Sequence, residues 1–147
     1  MKNKLYKNFF FKSSIAGFVL LAVNFAGLLI TINFLPFLAD EYFSPVFDME
    51  GYKGILFFLH PFVVSIALAL FWKRFKKLLK GSFLIKGIEV GLLYGVISVF
   101  PAMWMIFSAF DVSLGLVLSW LFHGIIQGTV VGIIYAKMEN QVKNQPK

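Results

Sequence analysis

Four long apolar runs, separated by short polar stretches, dominate the chain. The first extends from Ser13 to Phe34 (SSIAGFVLLAVNFAGLLITINF) and the second from Gly54 to Trp72 (GILFFLHPFVVSIALALFW). The third runs from Phe83 to Phe107 and the fourth from Val112 to Ala136. Apolar positions within them are continuous rather than alternating, so a half-exposed strand is the wrong reading. Each is near the ~20 residues that a helix needs to cross a hydrocarbon core of about 30 Å. In lipid a segment must satisfy its own backbone groups, and a helix does so. The pattern predicts an all-α fold, an integral membrane four-helix bundle forming one domain over residues 1–147. The spans fall at about 13–34, 54–72, 83–107 and 112–136, with an external loop 35–53, a basic cytoplasmic loop 73–82 and a cytoplasmic tail 137–147.

Composition agrees with the pattern. Of 147 residues, 59% are hydrophobic and 14% charged, too few charges to coat a soluble domain of this size. Mean hydropathy is +0.81. The net charge of +7 would suit nucleic acid if it formed a stripe on a folded surface, but the lysines instead flank the apolar runs, and no nucleic acid partner is expected. Lys2, Lys4, Lys7 and Lys12 precede the first run; Lys73, Arg74, Lys76, Lys77, Lys80 and Lys86 lie between the second and third; Lys137, Lys143 and Lys147 follow the fourth. The other two links carry Asp40, Glu41, Asp48, Glu50 and Asp111 against one lysine, Lys53. By the positive-inside rule both termini are cytoplasmic (N-in/C-in). Arg74 is the sole arginine, a lysine bias that points to a bacterial chain and so to the bacterial cytoplasmic membrane. The first run is longer than the apolar region of a cleaved signal, and the stretch PFLAD has Phe37 where cleavage wants a small residue, so an uncleaved anchor is expected.

The links carry their own signals. Lys73, Arg74, Lys76, Lys77 and Lys80 form a basic cluster suited to anionic lipid headgroups at the cytoplasmic face. Trp72, Trp104 and Tyr135 stand near run ends, where amphipathic rings favour the headgroup level. The acidic link 35–53 holds Phe37, Phe43, Phe47 and Tyr52 and reads as a connector along the outer surface, with Pro36 and Pro45 breaking any long helix.

A phrase recurs in the third and fourth runs: GIEVGLLYG at 87–95 and GIIQGTVVG at 124–132. Gly87, Gly91 and Gly95, extended by Ser98 and Ala102, and separately Gly124, Gly128 and Gly132, make two stripes of small residues. Such stripes let helix backbones approach closely, and a glycine-stripe packing of the third and fourth spans is the simplest arrangement. A phosphate-binding glycine loop precedes a helix, whereas these glycines lie inside spans.

Polar residues inside spans are costly and mark candidate sites. Here they are Asn24, Asn33, His60, Glu89, His123 and Gln127. His123 and Gln127 share a helix face, and Asn24 lies at similar depth, ~16 Å from its run's end against ~18 Å for His123. If the first and fourth spans touch, these three make one buried polar cluster. Glu89 pairs most simply with Lys86, and its sharper role is proton carrier. No disulfide, thiolate ligand or cysteine nucleophile exists, because there is no cysteine. His60 and His123 have no carboxylate level with them, so no metal and no cofactor is expected, and no catalytic arrangement of serine, histidine and acid is present.

The function expected is that of a non-enzymatic multi-pass membrane protein acting through helix–helix association, with another copy or another membrane protein. The alternative is a small transporter or channel using Asn24, His123 and Gln127, with Glu89 carrying protons. A membrane enzyme on a lipid-like substrate is a second alternative.

Overall fold

The computed structural model describes residues 2–44 and 51–143, with side chains described for 9–44 and 51–139. Pro45 and Phe47 lie outside these residues. Every element among the described residues is helical: α1 (Lys2–Phe34), α2 (Pro36–Tyr42), α3 (Tyr52–Phe75), α4 (Phe83–Tyr94), a π-helical turn (Gly95–Val99), α5 (Phe100–Ala109) and α6 (Leu114–Lys143). Four helical stretches are long and apolar enough to cross a membrane: Phe9–Phe34, Tyr52–Phe75, Phe83–Ala109 and Leu114–Glu139. Their outward faces are apolar, with Phe18 64%, Val96 68%, Ile97 67% and Phe122 66% exposed. Lipid tolerates such faces and water does not.

The bundle is built around α6. The closest pairs are α4 with α6 and α1 with α3, and α6 also packs on α1, α2, α3 and α5. Its approach to α4 leaves no room for a Cβ at the glycines. A Cβ built on Gly91 would lie 2.6 Å from the Ile125 carbonyl oxygen and 2.8 Å from the Thr129 nitrogen; one on Gly128 would lie 2.9 Å from Gly91 Cα, and one on Gly132 2.9 Å from Gly87 Cα. Between α1 and α3 the core is formed by Ala16, Leu20, Val64 and Leu68, which join Val131 of α6.

The third span is not one regular helix. Pro101 has no N–H, and its ring crowds the carbonyl four residues earlier. The chain widens into a π turn just before it, with the Phe100 N–H donating to the Gly95 carbonyl. The extra residue rotates the remainder of the span about its axis. Val99 becomes buried and fits against Gly124, where a Cβ would lie 2.7 Å from Val99 Cγ2. Ser98 and Ala102, expected to continue the stripe of small residues, are exposed instead. Beyond the turn, α5 has no buried residue.

Specific bonds close both ends of the bundle. At the lysine-rich end, Glu139 accepts from Trp72 Nε1 at 3.1 Å and from Lys76 Nζ at 2.9 Å. Lys137 Nζ lies 4.8 Å above the Phe83 ring. The turn into α4 uses Gly81, whose φ of +94° disfavours any side chain, and Ser82 Oγ caps α4 by accepting from the Ile85 N–H. Two rings expected at the headgroup level are internal: Trp72 is 8% and Tyr135 5% exposed, and the Tyr135 hydroxyl donates to the Ser65 carbonyl at 2.8 Å. Each buried ring has a hydrogen-bond partner inside the protein. Trp104, by contrast, is 69% exposed.

At the opposite end Pro36 starts a helix rather than only ending one. It holds the first turn of α2, after Leu35 departs from helical geometry with φ −132° and ψ 60°. Leu38 and Ala39 are buried, and Glu41 Oε2 accepts from the Ser113 N–H at 3.1 Å at the start of α6. Trp120 Nε1 donates to the Tyr42 hydroxyl. Burial raises the Tyr42 pKa, overriding the opposing effect of its hydrogen bonds with Trp120 and Ser119. Phe37 and Phe43 remain exposed.

Candidate functional site

The polar residues of α1 and α6 meet inside the bundle. His123 and Gln127 are one turn apart and share a face of α6. Gln127 Nε2 donates to Asn24 Oδ1 at 2.7 Å, and His123 Nε2 lies 2.9 Å from the same oxygen. Gln127 is 4% exposed. Glycine makes this meeting possible: a Cβ at Gly27 would lie 2.8 Å from His123 Cε1, so the imidazole rests against bare α1 backbone.

With the Asn24 amide oriented so that Oδ1 faces both partners, the Nε2–H tautomer of His123 is the one that completes the bond, since an amide oxygen only accepts. Both bonds use Oδ1, and neither uses the Asn24 amide nitrogen. Asn24 also lines a cavity of about 30 Å³ with Leu21, Phe25 and Leu28 of α1 and Phe57 and Phe58 of α3. That is room for a water molecule, which needs about 10–15 Å³ of such space. Phe25 stacks on Phe58, with centroids 5.6 Å apart and planes 20° apart.

Other candidate residues stay outside the cluster. His60 lies on the exposed side of α3, close enough to His123 for an electrostatic interaction but without a hydrogen bond to the cluster. Asn33 bonds within its own helix, Nδ2 donating to the Leu29 carbonyl at 2.7 Å. Glu89 is half-buried on α4, and among the described residues no ion pair joins it to Lys86. No group of three or more His, Asp or Glu is placed to hold a metal ion among the described residues. Within the basic cluster Lys73, Arg74, Lys77 and Lys80 are exposed, whereas Lys76 pairs with Glu139.

Sequence reasoning missed a second polar layer nearer the lysine-rich end. Ser65 Oγ lies 2.8 Å from the Ser13 carbonyl and 2.9 Å from its own helix's Phe62 carbonyl, and Tyr135 completes the layer. A hydroxyl that bonds backbone is a weak sequence signal, because serine satisfies itself locally in many helices. Glu139 was obscured by its place in a polar tail. No protein-family model, curated protein or solved structure matches the chain.

Proposed function

We propose that this chain is a single-domain membrane protein of the bacterial cytoplasmic membrane, with both termini cytoplasmic, that works without catalysis by associating with another membrane protein or with further copies of itself. One observation carries the reading: the polar groups deep in the spans bond to one another, with one oxygen of Asn24 holding both His123 and Gln127. Such a cluster fixes helix positions, and among the described residues no carboxylate bonds to it. The repeated glycines serve as a packing device between α4 and α6 within the chain, supported by the missing space for any Cβ at Gly91 and Gly128. Association between chains therefore uses other faces, and α5 offers the least covered one. Anionic lipids meet Lys73, Arg74, Lys77 and Lys80 at the cytoplasmic side, each contributing about 1 kcal/mol near the surface.

Single-molecule photobleaching in bilayers, combined with co-purification, tests this reading. More than one copy per spot or a recurrent membrane partner is expected; a strict monomer with no partner overturns it.

A second reading is a small transporter, favoured by the convergence of Asn24, His123 and Gln127 beside a cavity. Glu89 is its proton carrier. In proteoliposomes that reading requires flux to collapse in His123→Ala and in Glu89→Gln, and wild-type flux in both variants rejects it.

A further inference from the structure

We propose that the cavity beside Asn24 binds the oxygen-bearing end of a neutral molecule dissolved in the membrane interior. The inference rests on the chain spanning a bilayer and is independent of whether it associates with a partner. Two observations meet at this point. The first is an unused donor. Asn24 Oδ1 accepts from His123 and Gln127, while its amide nitrogen has no hydrogen-bond partner in the protein among the described residues. That nitrogen carries two N–H groups. Asn24 lies ~16 Å into the membrane from the end of its span, where no bulk water reaches it. An unpaired donor in hydrocarbon is costly, and a hydrogen-bond acceptor brought by a ligand relieves the cost.

The second is the shape and lining of the space. The cavity holds about 30 Å³, and apart from Asn24 its walls are Leu21, Phe25, Leu28, Phe57 and Phe58. It is too small for a whole ligand and large enough for one oxygen group. Phe25, Phe57 and Phe58 line the cavity and are each 44–49% exposed, so its mouth is an aromatic cleft between α1 and α3. A ligand would insert its oxygen and leave its hydrocarbon body in that cleft, against the stacked Phe25 and Phe58 rings.

Depth narrows the class. The ester carbonyls of diacyl lipids stay near the headgroups, outside the hydrocarbon core, and do not reach a group this deep. Molecules that dissolve in the core itself do. The shared chemistry is an acceptor oxygen on a neutral, hydrocarbon-soluble body, and its two sources are a quinone carbonyl and the hydroxyl of a long-chain alcohol.

The test uses the full chain in nanodiscs doped separately with a decyl-substituted benzoquinone, dodecanol or dodecane, with retained adducts counted by native mass spectrometry. Adducts are expected with at least one oxygen-bearing probe, and which one identifies the source. Dodecane should give none. Asn24→Leu removes the donor and should weaken retention at least about tenfold, equivalent to ~1.4 kcal/mol. Phe58→Trp leaves Asn24 and its bonds in place but fills the cleft, and should do the same, so the test stands even if Asn24→Leu fails to fold. Equal retention in both variants, equal retention of dodecane, or no adduct with either oxygen-bearing probe (a cavity filled by water only) overturns the proposal. Monomers that co-purify with no partner yet still retain a probe would reject the association reading and leave this one standing.

Discussion

Gly91→Ala should destabilise the chain, although alanine is the better helix former. In an open helix the exchange gains up to ~1 kcal/mol. Here the new Cβ would meet α6 backbone, 2.6 Å from the Ile125 carbonyl oxygen and 2.8 Å from the Thr129 nitrogen. Backbone cannot rotate aside as a side-chain tip can, so α4 and α6 must separate along their contact. Overpacking of this kind costs about 1–3 kcal/mol, occasionally more, and a rigid neighbour puts it at the upper end. The net expectation is a loss of about 2 kcal/mol, or a melting point in detergent lowered by roughly 4–8 °C. Gly115→Ala is the internal comparison. Its nearest neighbour, Leu38 Cδ2, would be 3.4 Å away, an ordinary contact, so stability should hold or rise slightly. If the two alanine variants melt together at or above the wild-type temperature, α4 and α6 are not held as closely as described.

Asn24→Leu carries the second large effect. It removes the single acceptor of two donors, His123 Nε2 and Gln127 Nε2. An intramembrane hydrogen bond averages ~0.6 kcal/mol, because the separated helices find other partners. A buried donor left unsatisfied costs more, about 1–3 kcal/mol. Gln127 is 4% exposed and has no easy route to another partner, so a total loss of ~2–4 kcal/mol is expected. The diagnostic is a double-mutant cycle. Gln127→Leu alone should cost less than Asn24→Leu, because Asn24 then keeps His123. Adding Gln127→Leu to Asn24→Leu should restore part of the loss by removing one stranded donor. A cycle that sums without coupling would show that the three side chains do not act as a unit.

How much of the molecule was legible in its sequence depended on whether depth or direction was the question. Depth is linear in residue number at ~1.5 Å per residue. The four spans, and the common level of Asn24 and His123, came from counting. Direction around a helix survives only while the helix stays regular. The face shared by His123 and Gln127 held because α6 is unbroken from Leu114 to Lys143. The stripe from Gly87 to Gly95 could not be continued to Ser98 and Ala102, because the π turn before Pro101 shifts the count by one residue. The signal was present in Pro101 itself, placed after a glycine-rich half-span. Trp72 and Tyr135 show another limit. Their position at span ends fits an interfacial ring equally well, and only the partners Glu139 and Ser65, distant in sequence, decide for burial. Gly27 gave no sign of its role, since what it accommodates is a ring from another helix.

The central place of α6 bears on the order in which the bundle is completed. α1 and α3 approach each other closely and can pair once both have entered the bilayer. Among the described residues α4 has close contact with no other long apolar segment except α6, which follows it in the chain. Until the last segment inserts, the third remains a lone helix with its bare glycine face toward lipid, and Asn24 has neither of its donors. In the proposed membrane-spanning topology, arrival of the fourth segment supplies α4 with its neighbour and joins it, through α6, to the α1–α3 pair.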